Sequence, residues 1–196
     1  MSASPCSAPW APHSIAGAPW TPTSPWMCDV RAELLIAETA LSTMTIAAAR
    51  THPCETGGIL VGVYLDGHPW VTRAIEIQTS DRGRSHYRIP AGATQTAVLD
   101  ARAFDRRLGY LGDWHTHPQD VGPSRTDMAT LGVISMKHPR QPNPTQIVVR
   151  RTNHGYVLDA RRIVALTPRV CTIRLTGGLP TAAPQIDDPH DRGDPR

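Results

Sequence analysis

The sequence predicts a mixed α/β (α+β) domain, a β-sheet flanked by helices, and three observations lead there. Short apolar runs of strand length, such as GILVGVY at residues 58–64, stand beside segments whose apolar residues recur with helical spacing, such as ETALSTMTIAAAR at 38–50. Strand-like and helix-like segments follow one another without a regular βαβ alternation, which points to a mixed sheet and not an all-parallel one. Turn signals at Asp66-Gly67 and Asn153-His154-Gly155 separate strands at short range.

Taken in order, Val30 to Ala37 reads as a strand and Glu38 to Arg50 as a helix with an apolar stripe. Gly58 to Tyr64 is a buried strand, and the Asp66-Gly67 turn leads into a further strand from Trp70 to Ile77. Residues 79–86 (TSDRGRSH) form a polar loop. Ala93 to Leu108 fits a helix, and Tyr110 to His115 a strand that ends at HTHP. A second short helix starts after Pro123 and runs to about Lys137. Residues 139–144 break the chain, after which Gln146 to Arg151, Tyr156 to Val164 and Arg169 to Leu175 complete the set of strands.

The ends differ from this middle. Residues 1–28 are rich in Pro, Ala and Ser and cannot bury enough apolar surface to offset chain entropy, so a disordered segment is expected. Its Trp10, Trp20 and Trp26 suit an arm that docks on a partner. Residues 177–196 read as a flexible tail, which leaves 29–176 as the domain. Nothing at the N-terminus resembles a signal peptide, and no apolar run reaches membrane-spanning length. Cys6, Cys28, Cys54 and Cys171 never form a CxxC pair, so neither a zinc ribbon nor a disulfide framework is expected. The net charge of +3 carries no Lys/Arg block and gives no argument for a nucleic acid or a membrane surface, so neither is expected as a partner. A cytoplasmic protein is the expectation.

Chemistry concentrates in GDWHTHPQDVGPSRTD, residues 112–127. Successive side chains of a strand point to opposite faces, so His115 and His117 project from one side and can share a metal ion. Pro118 turns the chain, and Asp127, in the first turn of the next helix, can return a carboxylate to the same point. Two histidines and one carboxylate form a catalytic zinc shell with a fourth position for water. Glu55, beside Gly57 and Gly58 at the entry of a core strand, is the candidate proton shuttle. Each residue also has a structural use. An HxH pair occurs without metal, Ser124-Arg125-Thr126-Asp127 is a variant capping box, and Glu55 can be an ordinary surface carboxylate. The metal reading accounts for all of them together.

A Glu ahead of a GGILVG strand, followed by HTHP and then PSRTD, resembles the JAMM (JAB/MPN) metallopeptidases over roughly residues 33–165. The compactness of the chain resembles the bacterial members in particular. The resemblance implies a cytidine-deaminase-like architecture of a mixed sheet wrapped by helices. It implies His115, His117 and Asp127 as Zn2+ ligands, Glu55 as general acid/base and Ser124 as the hydroxyl that hydrogen-bonds the oxyanion. The implied reaction is hydrolysis after the C-terminal glycine of a ubiquitin-like protein, which removes it from a target or processes its precursor. Implied partners are the ubiquitin-like modifier and its conjugates, together with E1-like and E2-like enzymes of an antiphage defence system. One departure is visible: PQDVGP, between His117 and Ser124, is one residue shorter than the usual family spacing.

Three other functions fit parts of the pattern. A non-catalytic MPN scaffold would lack the site residues, which are all present here. A RadC-like protein acting near DNA shares the HxHP and PSxxD elements but generally has asparagine where this chain has Thr116. A peptidase that trims a sulfur-carrier or small-molecule conjugate would use the same residues. Among the remaining side chains, His52, His68, His86, His138 and His154 lack a partner at ligand spacing, with His86 the best placed to touch substrate. Trp114 is expected in the core and Cys54 as a packing residue, and Asp113 is a candidate acceptor that can orient a histidine.

Overall fold

A computed structural model describes residues 32–137 and 143–180. The Pro/Ala/Ser-rich segment, its three tryptophans, His138 and residues 181–196 lie outside the described residues. The described elements are β1 (Ala32–Ala37), α1 (Glu38–Thr51), β2 (Gly57–Leu65), β3 (His68–Glu76), α2 (Ala93–Phe104), β4 (Gly109–His117), α3 (Arg125–Lys137), β5 (Thr145–Thr152), β6 (Gly155–Val164) and β7 (Thr167–Thr176). No helix among them is long and apolar enough to cross a membrane.

As the sequence predicts, the strands form one mixed sheet with helices on its faces; their order is β1-β3-β2-β4-β5-β6-β7. Hairpins join β2 to β3, β5 to β6 and β6 to β7 as antiparallel pairs. The β4–β5 pair is parallel, as are β1–β3 and β1–β7. The last of these, from Ala32↔Cys171 to Ala37↔Thr176, closes the sheet into a barrel.

Strand alternation divides the core in two. Leu34, Ile36, Leu60, Val71, Trp114, Ile147 and Val149 face α1, which contributes Ala40, Met44, Ala47 and Ala48. Small alanines let the helix approach the curled sheet, and fully buried Met44 fills the space between. Each large apolar side chain buried this way contributes about 1.5–3 kcal/mol. On the opposite face Ile59 and Val61 meet Ala101 of α2, with Val98 packed alongside. Trp114 is in the core as expected, its Nε1 donating to the Ile75 carbonyl at 3.3 Å.

Most strands differ from expectation by one to three residues, as β7 does in starting at Thr167, and two differences in element length have a clear physical cause. The second helix stops at Phe104 because Asp105 turns extended (φ −145°). Its carboxylate accepts the Arg107 backbone N–H at 3.0 Å and the guanidinium at 2.7 Å, which lets Leu108 turn into the smaller core cluster. Strand β4 runs two residues further than expected, through His117, because it is paired on both sides there. Thr116 N–H donates to Thr56 O at 2.8 Å, and His117 lies beside Arg150 of β5.

Gly112 marks the tightest point of the β4–β5 pairing. Its φ is +151°, and a Cβ there would lie 1.7 Å from the Thr145 carbonyl oxygen. Gly112→Ala therefore combines backbone strain with overpacking and is expected to destabilise the domain by about 2–5 kcal/mol. Chemical denaturation would read the loss as a lower midpoint, and an unchanged midpoint would refute the close approach.

Candidate metal centre

The centre lies where β2, β4 and α3 begin or end. The antiparallel β2–β4 register pairs Gly57 with His115 and Gly58 with Trp114. Continued by two residues, it sets Glu55 opposite His117. Paired residues share a face, so Glu55, His115 and His117 all project from the side of the sheet away from α1. Thr116, pointing the other way, locks this register: its Oγ1 accepts the Thr56 N–H at 2.9 Å. The two glycines of the GG pair permit the approach. A Cβ on Gly57 would lie 2.3 Å from the Trp114 carbonyl oxygen and 2.7 Å from the Tyr87 ring, and one on Gly58 1.9 Å from the Ile75 carbonyl oxygen.

Asp127 arrives from α3. The capping box predicted for this segment forms: Ser124 Oγ accepts the Asp127 N–H at 3.1 Å, and Asp127 Oδ2 accepts the Ser124 N–H at 2.6 Å. The same carboxylate reaches both histidines, with His115 Nε2 3.4 Å from Oδ1 and His117 Nε2 3.7 Å from Oδ2. The two Nε2 atoms are 3.1 Å apart. Capping and convergence are thus compatible uses of one side chain. Among the described residues this trio is the group with metal-ligand character, all three donor atoms lying within 4.8 Å of one another.

The donor chemistry fits a tetrahedral divalent ion. Ligand bonds of about 2.05 Å at tetrahedral angles place ligand atoms about 3.3 Å apart; His115 Nε2 lies 3.1 Å from His117 Nε2 and 3.4 Å from Asp127 Oδ1, close to that value, while the 3.7 Å approach of His117 is to the other carboxylate oxygen. His117 Nδ1 lies 2.9 Å from the Val121 carbonyl oxygen. A carbonyl can only accept, so Nδ1 carries the proton and Nε2 keeps its lone pair toward the centre. Half-buried Asp127 loses part of its hydration, which opposes ionisation. The hydrogen bond and charge of His115, with the Ser124 hydrogen bonds, outweigh that cost and hold its carboxyl well below the usual range.

Glu55 sits beside the trio and behaves in the opposite sense. It is 6% exposed. Burial pushes its pKa up and the Asp127 charge adds to this, while His115, His117 and the more remote His86 pull against it. Its backbone N–H donates to the Gly83 carbonyl at 2.7 Å, which ties the polar loop 79–86 to the site. His86, on that loop, lies 3.6 Å from Asp81. Asp113 accepts the Tyr110 hydroxyl at 2.9 Å. Cys54 is a free thiol in a partly buried position. The Val121 carbonyl and the Thr56–Thr116 lock escape sequence reasoning; only strand alternation across HTH signals that Thr116 must serve the opposite face.

A mixed α+β domain with two strand histidines and a helix-borne aspartate on one face of its sheet defines a protein of the JAB/MPN class. This chain belongs to the family of prokaryotic homologs of the JAB domain, whose family model matches residues 37–159. Among curated proteins it is 31% identical over 144 residues to the "CD-NTase/cGAS isopeptidase" of Pseudomonas aeruginosa, covering 68% of this chain and 87% of that one. It is 30% identical over 156 residues to the "Probable metalloprotease y4qB" of Sinorhizobium fredii, covering 72% and 93%. A Desulfitobacterium hafniense protein solved in solution shares the fold with a TM-score of 0.59 at 21% identity, covering 75% of this chain and 95% of that one.

Proposed function

We propose that this protein is a zinc-dependent isopeptidase that cleaves after the C-terminal glycine of a ubiquitin-like protein, in a cytoplasmic bacterial conjugation system of the antiphage type. The observation that carries the reading is the convergence of His115, His117 and Asp127, with donor atoms within 4.8 Å of one another, on the face that carries buried Glu55. The isopeptidase and metalloprotease names of the two curated relatives support the reaction class.

Zinc held by His115, His117 and Asp127 would supply a Lewis acid that acidifies water and polarises the scissile carbonyl. The chain's own groups supply the rest. Glu55 takes a proton from the attacking water and passes it to the leaving amine, and a carboxyl raised by burial toward the working pH suits both transfers. Ser124 is exposed, and its Oγ already accepts the Asp127 N–H, so its hydroxyl proton is the part left to donate to the developing oxyanion. Ser124→Ala is expected to lower kcat by about 10²–10³-fold and to cost about 1 kcal/mol of stability through the lost cap. Steady-state kinetics and thermal unfolding on one preparation check both, and full activity with a lowered Tm would leave Ser124 as a cap alone.

The implied partners are the modifier, its conjugates and the E1-like and E2-like enzymes that make them. The name of the Pseudomonas aeruginosa relative favours a second reading, in which a CD-NTase/cGAS-type enzyme is the conjugated protein. The test is cleavage by zinc-loaded protein of two substrates: a ubiquitin-like protein joined through its C-terminal glycine to a lysine of a reporter, and a CD-NTase joined likewise. Cutting of the first carries the proposal, cutting of the second alone moves the substrate to the second reading, and cutting of neither overturns both.

A further inference from the structure

Six residues, 118–123, connect His117 to Ser124. They must set the Val121 carbonyl against His117 and bring Ser124 to the start of α3. Arg150 lies beside His117 in the parallel β4–β5 register, so both side chains leave the same face of the sheet. Its Nη1 donates to Asp120 Oδ1 at 2.7 Å. Asp120 immediately precedes Val121, whose own N–H donates to the Gln119 carbonyl at 2.9 Å and closes a tight turn. On its far side the turn abuts β6, where a Cβ on Gly122 would sit 3.0 Å from the Asp159 carboxylate. Among the described residues the buried Nε of Arg150 has no hydrogen-bond partner, and the hydrogen bond from Nη1 to Asp120 directs the guanidinium.

We infer that Arg150 is a positioning residue for the metal centre. Through Asp120 it holds the 119–122 turn so that the Val121 carbonyl stays on His117 Nδ1. The inference rests on the proposal that His117 is a metal ligand, and its physical content is the choice of tautomer. A neutral imidazole carries one N–H, and a carbonyl fixed at Nδ1 draws the proton there and leaves the Nε2 lone pair for the ion. With the turn released, the ring can hold its proton on either nitrogen and rotate about its side-chain bonds. Sequence alone gives no sign of this, since Arg150 and Asp120 are thirty positions apart.

The test uses the full chain with Arg150→Gln, Arg150→Lys, Asp120→Asn and the Gln/Asn double variant, with His115→Ala as control. Asp120 is on an exposed loop, so Asp120→Asn keeps the fold whatever Arg150 contributes to it. Two readouts are taken: zinc affinity by competition with a chromophoric chelator, and the ¹⁵N shifts of the His117 ring in metal-free protein. Expected are a rise in the zinc Kd of about 10–100-fold for Arg150→Gln and Asp120→Asn, a double variant no weaker than the weaker single, and substantial recovery with Arg150→Lys. The His117 ring should pass from a single Nδ1–H form to a mixture. Wild-type affinity and an unchanged His117 spectrum in Asp120→Asn would overturn the inference. Failure of wild type to bind zinc more tightly than His115→Ala would overturn the metal reading instead, and the ring spectrum would still decide the role of Arg150.

Discussion

Glu55→Gln is expected to lower kcat by about 10²–10⁴-fold, because the amide can neither take a proton from water nor return one to the leaving amine. The same change should stabilise the metal-free protein at neutral pH. The fold raises the pKa of Glu55, chiefly by burial, above its value in the unfolded chain. The folded state therefore binds that proton more tightly, and stability falls as pH rises from the unfolded carboxyl value of about 4.3 through the raised folded one. Glutamine carries no charge and escapes the penalty. The Tm of Glu55→Gln should exceed that of wild type at pH 7, and the difference should vanish below about pH 4, where both side chains are neutral. A variant that loses activity and stability together would show that Glu55 is held by contacts its charge strengthens.

Zinc should raise the Tm of the wild-type protein by roughly 5–10 °C at a free concentration a hundredfold above Kd. That concentration corresponds to about 2.7 kcal/mol of linkage, and a domain of this size gains about 2–4 °C per kcal/mol. His115→Ala and Asp127→Asn should abolish the shift along with all turnover. Asp127→Asn should also lower the stability of the metal-free protein, since its ionised carboxylate is held by His115 and the Ser124 N–H. The lowered pKa of Asp127 means that this contribution is present above the unfolded value of about 3.9 and is lost as pH falls through the folded value. Differential scanning fluorimetry with and without chelator, at pH 7 and in acid, separates the two effects. A zinc shift that persists in Asp127→Asn would place the ion elsewhere.

The site was legible because its geometry is local. The two-residue period of a strand sets His115 and His117 on one side, and three residues of a capping box carry Asp127 back from Ser124. The mixed sheet was legible for a related reason, since apolar runs and Asp66-Gly67 mark strands and turns within a few residues. The non-local contacts were hidden. Nothing near Ala32 announces that it will lie beside Cys171, and nothing in Arg150 announces Asp120. Helical spacing runs on past Phe104 in the sequence because the Asp105–Arg107 clamp that stops the helix uses residue types that helices also tolerate. Glu55 was visible as a residue, whereas its seat opposite His117 depends on a register that the Thr56–Thr116 pair sets across sixty positions.

The parallel seam between the first and last strands has one more consequence. It gives β1 and β7 sheet neighbours in place of free edges, so among the described residues the open backbone is confined to partly paired stretches such as Gly155–Ala160 of β6, which the β7 register does not reach. Sheet extension, which is how many proteins grip extended chains, is open to an incoming peptide only along such stretches. Over the rest of the barrel, contacts to such a chain fall to side chains and to the loops around the metal face, above all 79–86 and 118–123. Exchanging those loops between relatives should therefore transfer substrate choice while the barrel beneath them stays the same.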